Sequence, residues 1–214
     1  MTQETLIRIE NISKHYGKQA ALDQVSFNIH RGEICGLVGQ NGAGKTTLIR
    51  IISGLIQASE GQIDKSAALR IGAIIESPTL YPNMTAYDNL MYAAPQCHIE
   101  NPKERVTEVL SLVGLAQVDK KKKVKDFSLG MRQRVAIALS LIDFPEFLIL
   151  DEPINGLDPS GIKEMREIIL NLRDTYSITV LISSHILTEL ELLADRFVIV
   201  HKGQVIRDIS KEAL

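Results

Sequence analysis

Tryptophan is absent from the 214 residues, aromatic residues of any kind make up 5%, and cysteine occurs only twice. No apolar run approaches the roughly 18 residues that a membrane span requires. The first residues, Met1-Thr-Gln-Glu-Thr5, lack the charged and apolar regions of a signal peptide, so a cytoplasmic chain is expected. Cys35 sits in an apolar stretch and Cys97 in a distant polar one. That excludes a disulfide framework or a metal pair and leaves each as a small hydrophobe. An excess of either sign of charge is also missing, 24 Lys and Arg standing against 26 Asp and Glu. A net charge of −2 offers no global attraction to nucleic acid or to an anionic bilayer, so nucleic acid is not expected as a partner. With 45% hydrophobic residues the chain can bury a sizeable core, and its length suits a single domain.

What the chain does have is a phosphate cradle. Gly39-Gln40-Asn41-Gly42-Ala43-Gly44-Lys45-Thr46-Thr47 fits G-x-x-x-x-G-K-[ST]. Its glycines remove the Cβ atoms that would keep backbone N–H groups from an anion, and Lys45 opens a helix whose N-terminal dipole favours negative charge. The pattern places Lys45 on the β- and γ-phosphates and the Thr46 hydroxyl on Mg²⁺. The required flanks are present: Glu33–Val38 is apolar enough for a buried strand, and Thr47–Ile52 continues as a helix.

Upstream, Leu6–Ile12 and Val25–Ile29 alternate apolar and polar residues, which predicts two half-exposed antiparallel strands joined by a turn over Tyr16–Leu22. Downstream, Ser59–Ile63 reads as a turn, and Arg70–Ile75 as a short strand that delivers Glu76. Pro78, Pro82, Pro95 and Pro102 then mark an inserted helical segment. Within it Thr85–Ala93 is a helical piece, and Asn101–Val113 is a helix capped by Asn101 with Val106, Val109, Leu110 and Val113 on its apolar face. Lys120–Lys123 and Lys125 read as a solvated cationic turn. Ser128 can cap the helix Leu129–Leu141, creating a second helix N-terminus able to take an anion.

Phe147–Leu150 is a buried strand that brings Asp151 and Glu152 to its carboxyl end, where open α/β sheets place their chemistry. Asp158 and Pro159 start a further helix, Thr179–Ser183 is a strand ending near His185, and Phe197–Val200 with Gln204–Ile206 forms a hairpin through Lys202-Gly203. Strands alternating with helices around a phosphate loop predict a parallel sheet.

With these motifs in order, the chain resembles an ATP-binding cassette, the ATPase subunit of an ABC transporter, over nearly its whole length. The resemblance implies an α/β fold of the P-loop NTPase (RecA-like) kind: a parallel-sheet core, an N-terminal antiparallel β subdomain and an inserted α-helical subdomain. Residues 1–76 and 136–214 would form the nucleotide-binding core with its β lip, and 77–135 the helical and signature subdomain. It implies Tyr16 as the adenine-stacking residue, Gly39 to Thr46 as the Walker A loop, Phe127 to Arg132 as the signature and Phe147 to Asp151 as Walker B. Glu152 would be the catalytic carboxylate, Asn155-Gly-Leu-Asp158 the D-loop and His185 the switch histidine. ATP and Mg²⁺ are the implied cofactors, with Thr46, Asp151 and Glu76 at the metal. Two cassettes would pack head to tail, probing each other's γ-phosphate with Ser128 and the N–H of Gly130.

The sequence departs from the usual Leu-Ser-Gly-Gly-Gln at Leu129 and Met131, and Glu76 stands where the family usually has Gln. The Glu76 variant, together with Glu152-Pro-Ile-Asn-Gly-Leu-Asp-Pro159, resembles the subgroup serving export of, or immunity to, lantibiotic and bacitracin-type peptides. An integral membrane permease is the implied partner, holding the chain at the cytoplasmic face of the membrane. The alternative is a cassette acting on ribosomes or nucleic acid without a permease, which usually carries two cassettes or a long coiled-coil insertion.

Overall fold

The alternating pattern of the N-terminal segment produces β1 (Thr5–Tyr16) and β2 (Gln19–His30), which pair antiparallel in the computed structural model, described here for residues 4–76 and 79–214. Both strands run further than the pattern suggests. Tyr16 pairs with Gln19, so the expected seven-residue connection contracts to Gly17-Lys18. β3 (Ile34–Val38) follows, buried along its whole length, and leads through the glycine-rich loop into α1 (Lys45–Ile52). Ser59–Ile63, read as a turn, is instead largely strand: β4 (Glu60–Lys65) pairs antiparallel with β1 and completes a three-stranded sheet of order β2-β1-β4. As an edge strand with mostly solvated side chains, it carries no apolar alternation to announce it.

β5 (Ile71–Ile74) begins the second half. Ser77 and Pro78, where the helical insertion was expected to start, lie outside the described residues. The insertion supplies α2 (Ala86–Ala93) and α3 (Pro102–Leu112), followed by α4 (Leu129–Ser140). Thr85 and Asp88 close a reciprocal capping box on α2, and the Ser128 hydroxyl accepts from the Met131 N–H as anticipated. Asn101 occupies the cap position of α3, but its side chain makes no capping bond. β6 (Phe147–Asp151), α5 (Pro159–Tyr176), β7 (Thr179–Ser184), the short α6 (Leu187–Glu191), β8 (Arg196–His201) and β9 (Gln204–Ser210) complete the chain.

The main sheet has the order β5-β6-β7-β3-β8-β9. All neighbours are parallel except the terminal hairpin β8–β9. Its central strands are buried on both faces, and period-two alternation divides their side chains between two apolar clusters. Cys35, Leu37, Phe147, Ile149, Leu181 and Val198 pack with α1 and the three-stranded sheet. Ile34, Val38, Leu148, Leu150, Val180 and Ile182 pack toward α4, α5 and α6, and that cluster runs on without a break into Leu90, Val106, Val109 and Leu110 of the inserted helices. Burial pushes the Cys35 thiol up to about 12, in keeping with its role as a packing residue.

Candidate functional site

β3, β6 and β7 lie side by side in the parallel sheet, so the loops leaving their carboxyl ends converge. The loop after β3 is shaped by backbone approach. A Cβ on Gly39 would stand 2.4 Å from the Val200 carbonyl oxygen, and Gly44, at φ 107°, caps α1 while a Cβ there would meet the Ala21 carbonyl at 2.8 Å. No side chain caps this helix, which leaves its first N–H groups to whatever enters the loop.

The Lys45 ammonium is almost wholly buried. It donates to the Gly39 carbonyl at 2.7 Å and the Gln40 carbonyl at 3.4 Å, and lies 3.2 Å from Glu152 Oε1. The other Glu152 oxygen, Oε2, shares a 2.6 Å hydrogen bond with His185 Nδ1. Lys45, Glu152 and His185 thus form one connected row of polar groups. Glu152 reaches both partners because its backbone adopts φ 51°, a left-handed conformation that non-glycine residues hold at a cost of about 1–3 kcal/mol and that concentrates at functional sites. Its N–H donates to the Ser183 hydroxyl at 2.9 Å, which fixes the turn.

Asp151 occupies a different environment. It accepts from the Thr46 hydroxyl at 2.9 Å through Oδ2 and from the Ser183 hydroxyl at 2.5 Å through Oδ1. Among the described residues, no group of three or more His, Cys, Asp or Glu side chains is arranged to hold a metal on protein ligands alone. Thr46 and Asp151 do fit a magnesium ion that takes its remaining ligands from water and phosphate, since the two present hard oxygen donors side by side at the cavity wall.

Lys45, Thr46, Thr47, Asn41, Gly42 and Gly44 line one cavity of about 770 Å³ with Asp151, Glu152 and Glu76. Gln40 is exposed at the loop's edge and Ala43 packs inward. Glu76 sits at φ 62°, and its carboxylate is ion-paired with Arg50 of α1 rather than lying free. Tyr16 does not line the cavity. It stands half exposed at the tip of β1 with the Lys14 ammonium 5.5 Å from its ring centre, while Gln19, Ala20 and Ala21 across the turn form the cavity wall. Ser128 is exposed and bonded to its own helix, and a Cβ on Gly130 would meet nothing nearer than Leu157 at 3.7 Å. Ser183 and Arg50 escaped the sequence reading. Ser183 is one of two serines that end β7 and Arg50 a charge on a helix carrying four of the buried apolar residues, and neither matches a motif.

A family model described as "ABC transporter" matches residues 22–155, which include the phosphate loop, Asp151 and Glu152. The chain belongs to the ABC transporter family of ATP-binding cassettes. The cassette is 46% identical over 220 residues to the bacitracin transport ATP-binding protein BcrA of Bacillus licheniformis, an alignment covering 98% of this chain and 71% of that protein. It is 43% identical to the lantibiotic transport ATP-binding protein SrtF of Streptococcus pyogenes, over 94% of this chain and 89% of that one. Among solved structures it superposes on the dimeric bacterial cassette MJ0796 with a TM-score of 0.85 at 25% identity, covering 98% of this chain and 100% of that one. The ADP conformation of MJ1267 gives 0.86 at 26% identity, covering 98% and 92%. The cassette is therefore an ATP-binding and ATP-hydrolysing subunit. Among its described residues no helix is long and apolar enough to cross a membrane.

Proposed function

We propose that this cassette hydrolyses ATP in the cavity where the start of α1 meets the end of β6 and powers a separate membrane permease that exports, or protects against, an antimicrobial peptide of the bacitracin or lantibiotic kind. The observation that carries the catalytic part is the row Lys45–Glu152–His185 beside the Thr46–Asp151 pair. Phosphoryl transfer asks for positioning and charge neutralisation rather than covalent chemistry, and these groups supply both. The loop N–H groups and Lys45 bind the phosphates. An arriving phosphate competes with Glu152 for the ammonium, which turns the freed carboxylate to the attacking water, and His185 orients that carboxylate. Thr46 and Asp151, with Glu76 at the cavity rim, would hold Mg²⁺, which neutralises charge on the phosphate oxygens when bound.

Two further elements rest on the family. Tyr16 offers its half-exposed ring to the adenine. Ser128 and Gly130 act on the nucleotide of a second, identical cassette in an ATP-dependent homodimer; nothing inside the chain requires glycine at 130, which suits an outward-facing role. The peptide assignment rests on the bacitracin and lantibiotic transport relatives. The permease would hold the cassette at the cytoplasmic face of the membrane.

The test is co-expression with a candidate membrane permease, followed by challenge with bacitracin and with a lantibiotic. Protection conferred by wild type and lost in Glu152→Gln is expected. Equal survival of cells carrying either form, or carrying neither, would reject the assignment.

A further inference from the structure

The hairpin that joins β8 to β9 is bonded to the phosphate loop on one side and to β2 on the other. His201 pairs with Gln204, so Lys202 and Gly203 alone make the turn. The Gly203 N–H donates to the Ala43 carbonyl at 2.9 Å, and the Gly203 carbonyl accepts from the Asp23 N–H at 2.9 Å. Gln204 Nε2 donates to Asp23 Oδ2 at 2.7 Å, and a Cβ on Gly203 would stand 2.7 Å from the Ala21 carbonyl oxygen. The backbone of Lys202 therefore has a fixed position relative to the loop. Lys202 and Gly203 lie at φ 47° and 80°, the left-handed pair of a type I′ turn. Asn, Asp and Gly take the first of these positions readily, whereas a lysine there costs conformational energy.

Lys202 is exposed, lines the nucleotide cavity beside Gln19, Ala20 and Ala21, and forms no ion pair among the described residues. The carboxylates that line the same cavity have other partners: Glu76 has Arg50, Asp151 the hydroxyls of Thr46 and Ser183, and Glu152 Lys45 and His185. The sheet order sets Lys202 across the loop from that catalytic row. β3 stands between β7 and β8, so Glu152 and His185 approach the loop from one side and the hairpin from the other. On the hairpin's side lies the β1–β2 connection, where Tyr16 pairs with Gln19. A nucleotide with its γ-phosphate at Lys45 and Glu152 and its base at Tyr16 carries its α-phosphate past this wall.

We infer that Lys202 is a nucleotide-binding residue whose ammonium reaches the α-phosphate, the part that ATP and ADP share. The inference rests on the ATP-hydrolysing reading given above and adds to it a second cation, supplied from outside the phosphate loop. A lysine ammonium is a point charge with three donors on a flexible stem, which suits an anionic oxygen. A contact made alike to substrate, transition state and product tightens binding without speeding the chemistry.

The experiment measures dissociation constants for ATP, ADP and inosine triphosphate by calorimetry in EDTA, so that no hydrolysis intervenes. Turnover with Mg²⁺ and thermal unfolding are followed on the same proteins: wild type, Lys202→Asn and Lys202→Arg. Asparagine keeps the left-handed turn and removes the charge, and arginine keeps the charge. Lys202→Asn is expected to weaken all three nucleotides by the same factor, roughly 5- to 20-fold, with kcat and melting temperature no lower than in wild type. Lys202→Arg is expected to bind all three as wild type does. Unchanged affinity in Lys202→Asn overturns the inference and leaves the ATPase reading standing. A loss for ATP that is absent for ADP moves the ammonium to the γ-phosphate, one that is absent for inosine triphosphate moves it to the base, and either overturns the assignment. Weaker binding accompanied by a lower melting temperature makes the residue a structural one and overturns it as well. Failure of wild type to bind ATP overturns the ATPase reading itself, and the inference with it.

Discussion

Asp151 and Glu152 are adjacent in sequence, yet their carboxylates share no partner. Asp151 is held against the sheet by two hydroxyls, whereas Glu152 turns away through a left-handed backbone to meet a buried ammonium and an imidazole. In the proposed mechanism this divergence has one strand end serve both a metal and a water. Two residue-scale outcomes follow. Stacking on a base is worth about 1–3 kcal/mol, so Tyr16→Ala should raise the dissociation constant for ATP by roughly 5- to 150-fold while Tyr16→Trp stays near wild type. Unchanged affinity in Tyr16→Ala, read by titration with a fluorescent ATP analogue, would leave the ring as a partner of Lys14 alone. The Arg50–Glu76 pair bears on the metal. Removing the negative charge in Glu76→Gln should keep turnover and raise the Mg²⁺ concentration for half-maximal rate, and removing the positive one in Arg50→Gln, which frees the carboxylate, should lower it. A Mg²⁺ titration in which neither variant moves the midpoint would place Glu76 outside the metal site.

At the scale of elements, legibility follows burial. β3, β6 and β7 are read from the sequence because both faces are covered and nearly every position is apolar, and α3 because Val106, Val109, Leu110 and Val113 recur at helical spacing. β4 is invisible for the opposite reason, its exposed polar residues being held by pairing to β1, a partner some fifty positions away that no local pattern reveals. The phosphate loop, Asp151, Glu152 and His185 stand in recognisable motifs, but the left-handed turn at Glu152 and the service of Ser183 to both the Asp151 carboxylate and the Glu152 N–H are consequences of tertiary placement. Burial also makes a prediction at this scale. Cys35, inside β3 with its thiol pushed up to about 12, should resist an aromatic disulfide reagent at mildly alkaline pH and react only when denaturant opens the sheet. Titration of both Cys35 and Cys97 in the native protein would show that β3 is accessible and the sheet assignment wrong.

The whole molecule couples its parts through one continuous apolar cluster, from the central strands through α4 to α2 and α3. Leu129, the first residue of α4, lines the nucleotide cavity, and a Cβ on Gly156 would come within 3.3 Å of its side chain. Nucleotide-site changes can therefore reach the inserted helices through packed side chains instead of flexible linkers. All of this depends on ATP being bound and cleaved where Lys45, Glu152 and His185 meet. The most direct measurement pairs ATP binding, by calorimetry, with phosphate release for wild type, Lys45→Ala and Glu152→Gln. Lys45→Ala should lose measurable binding, since it removes the fixed cation of the loop. Glu152→Gln should bind ATP at least as tightly as wild type, release phosphate at least about 100-fold more slowly and elute as a dimer when ATP is present. Wild-type binding by Lys45→Ala, or wild-type turnover by Glu152→Gln, would contradict the site.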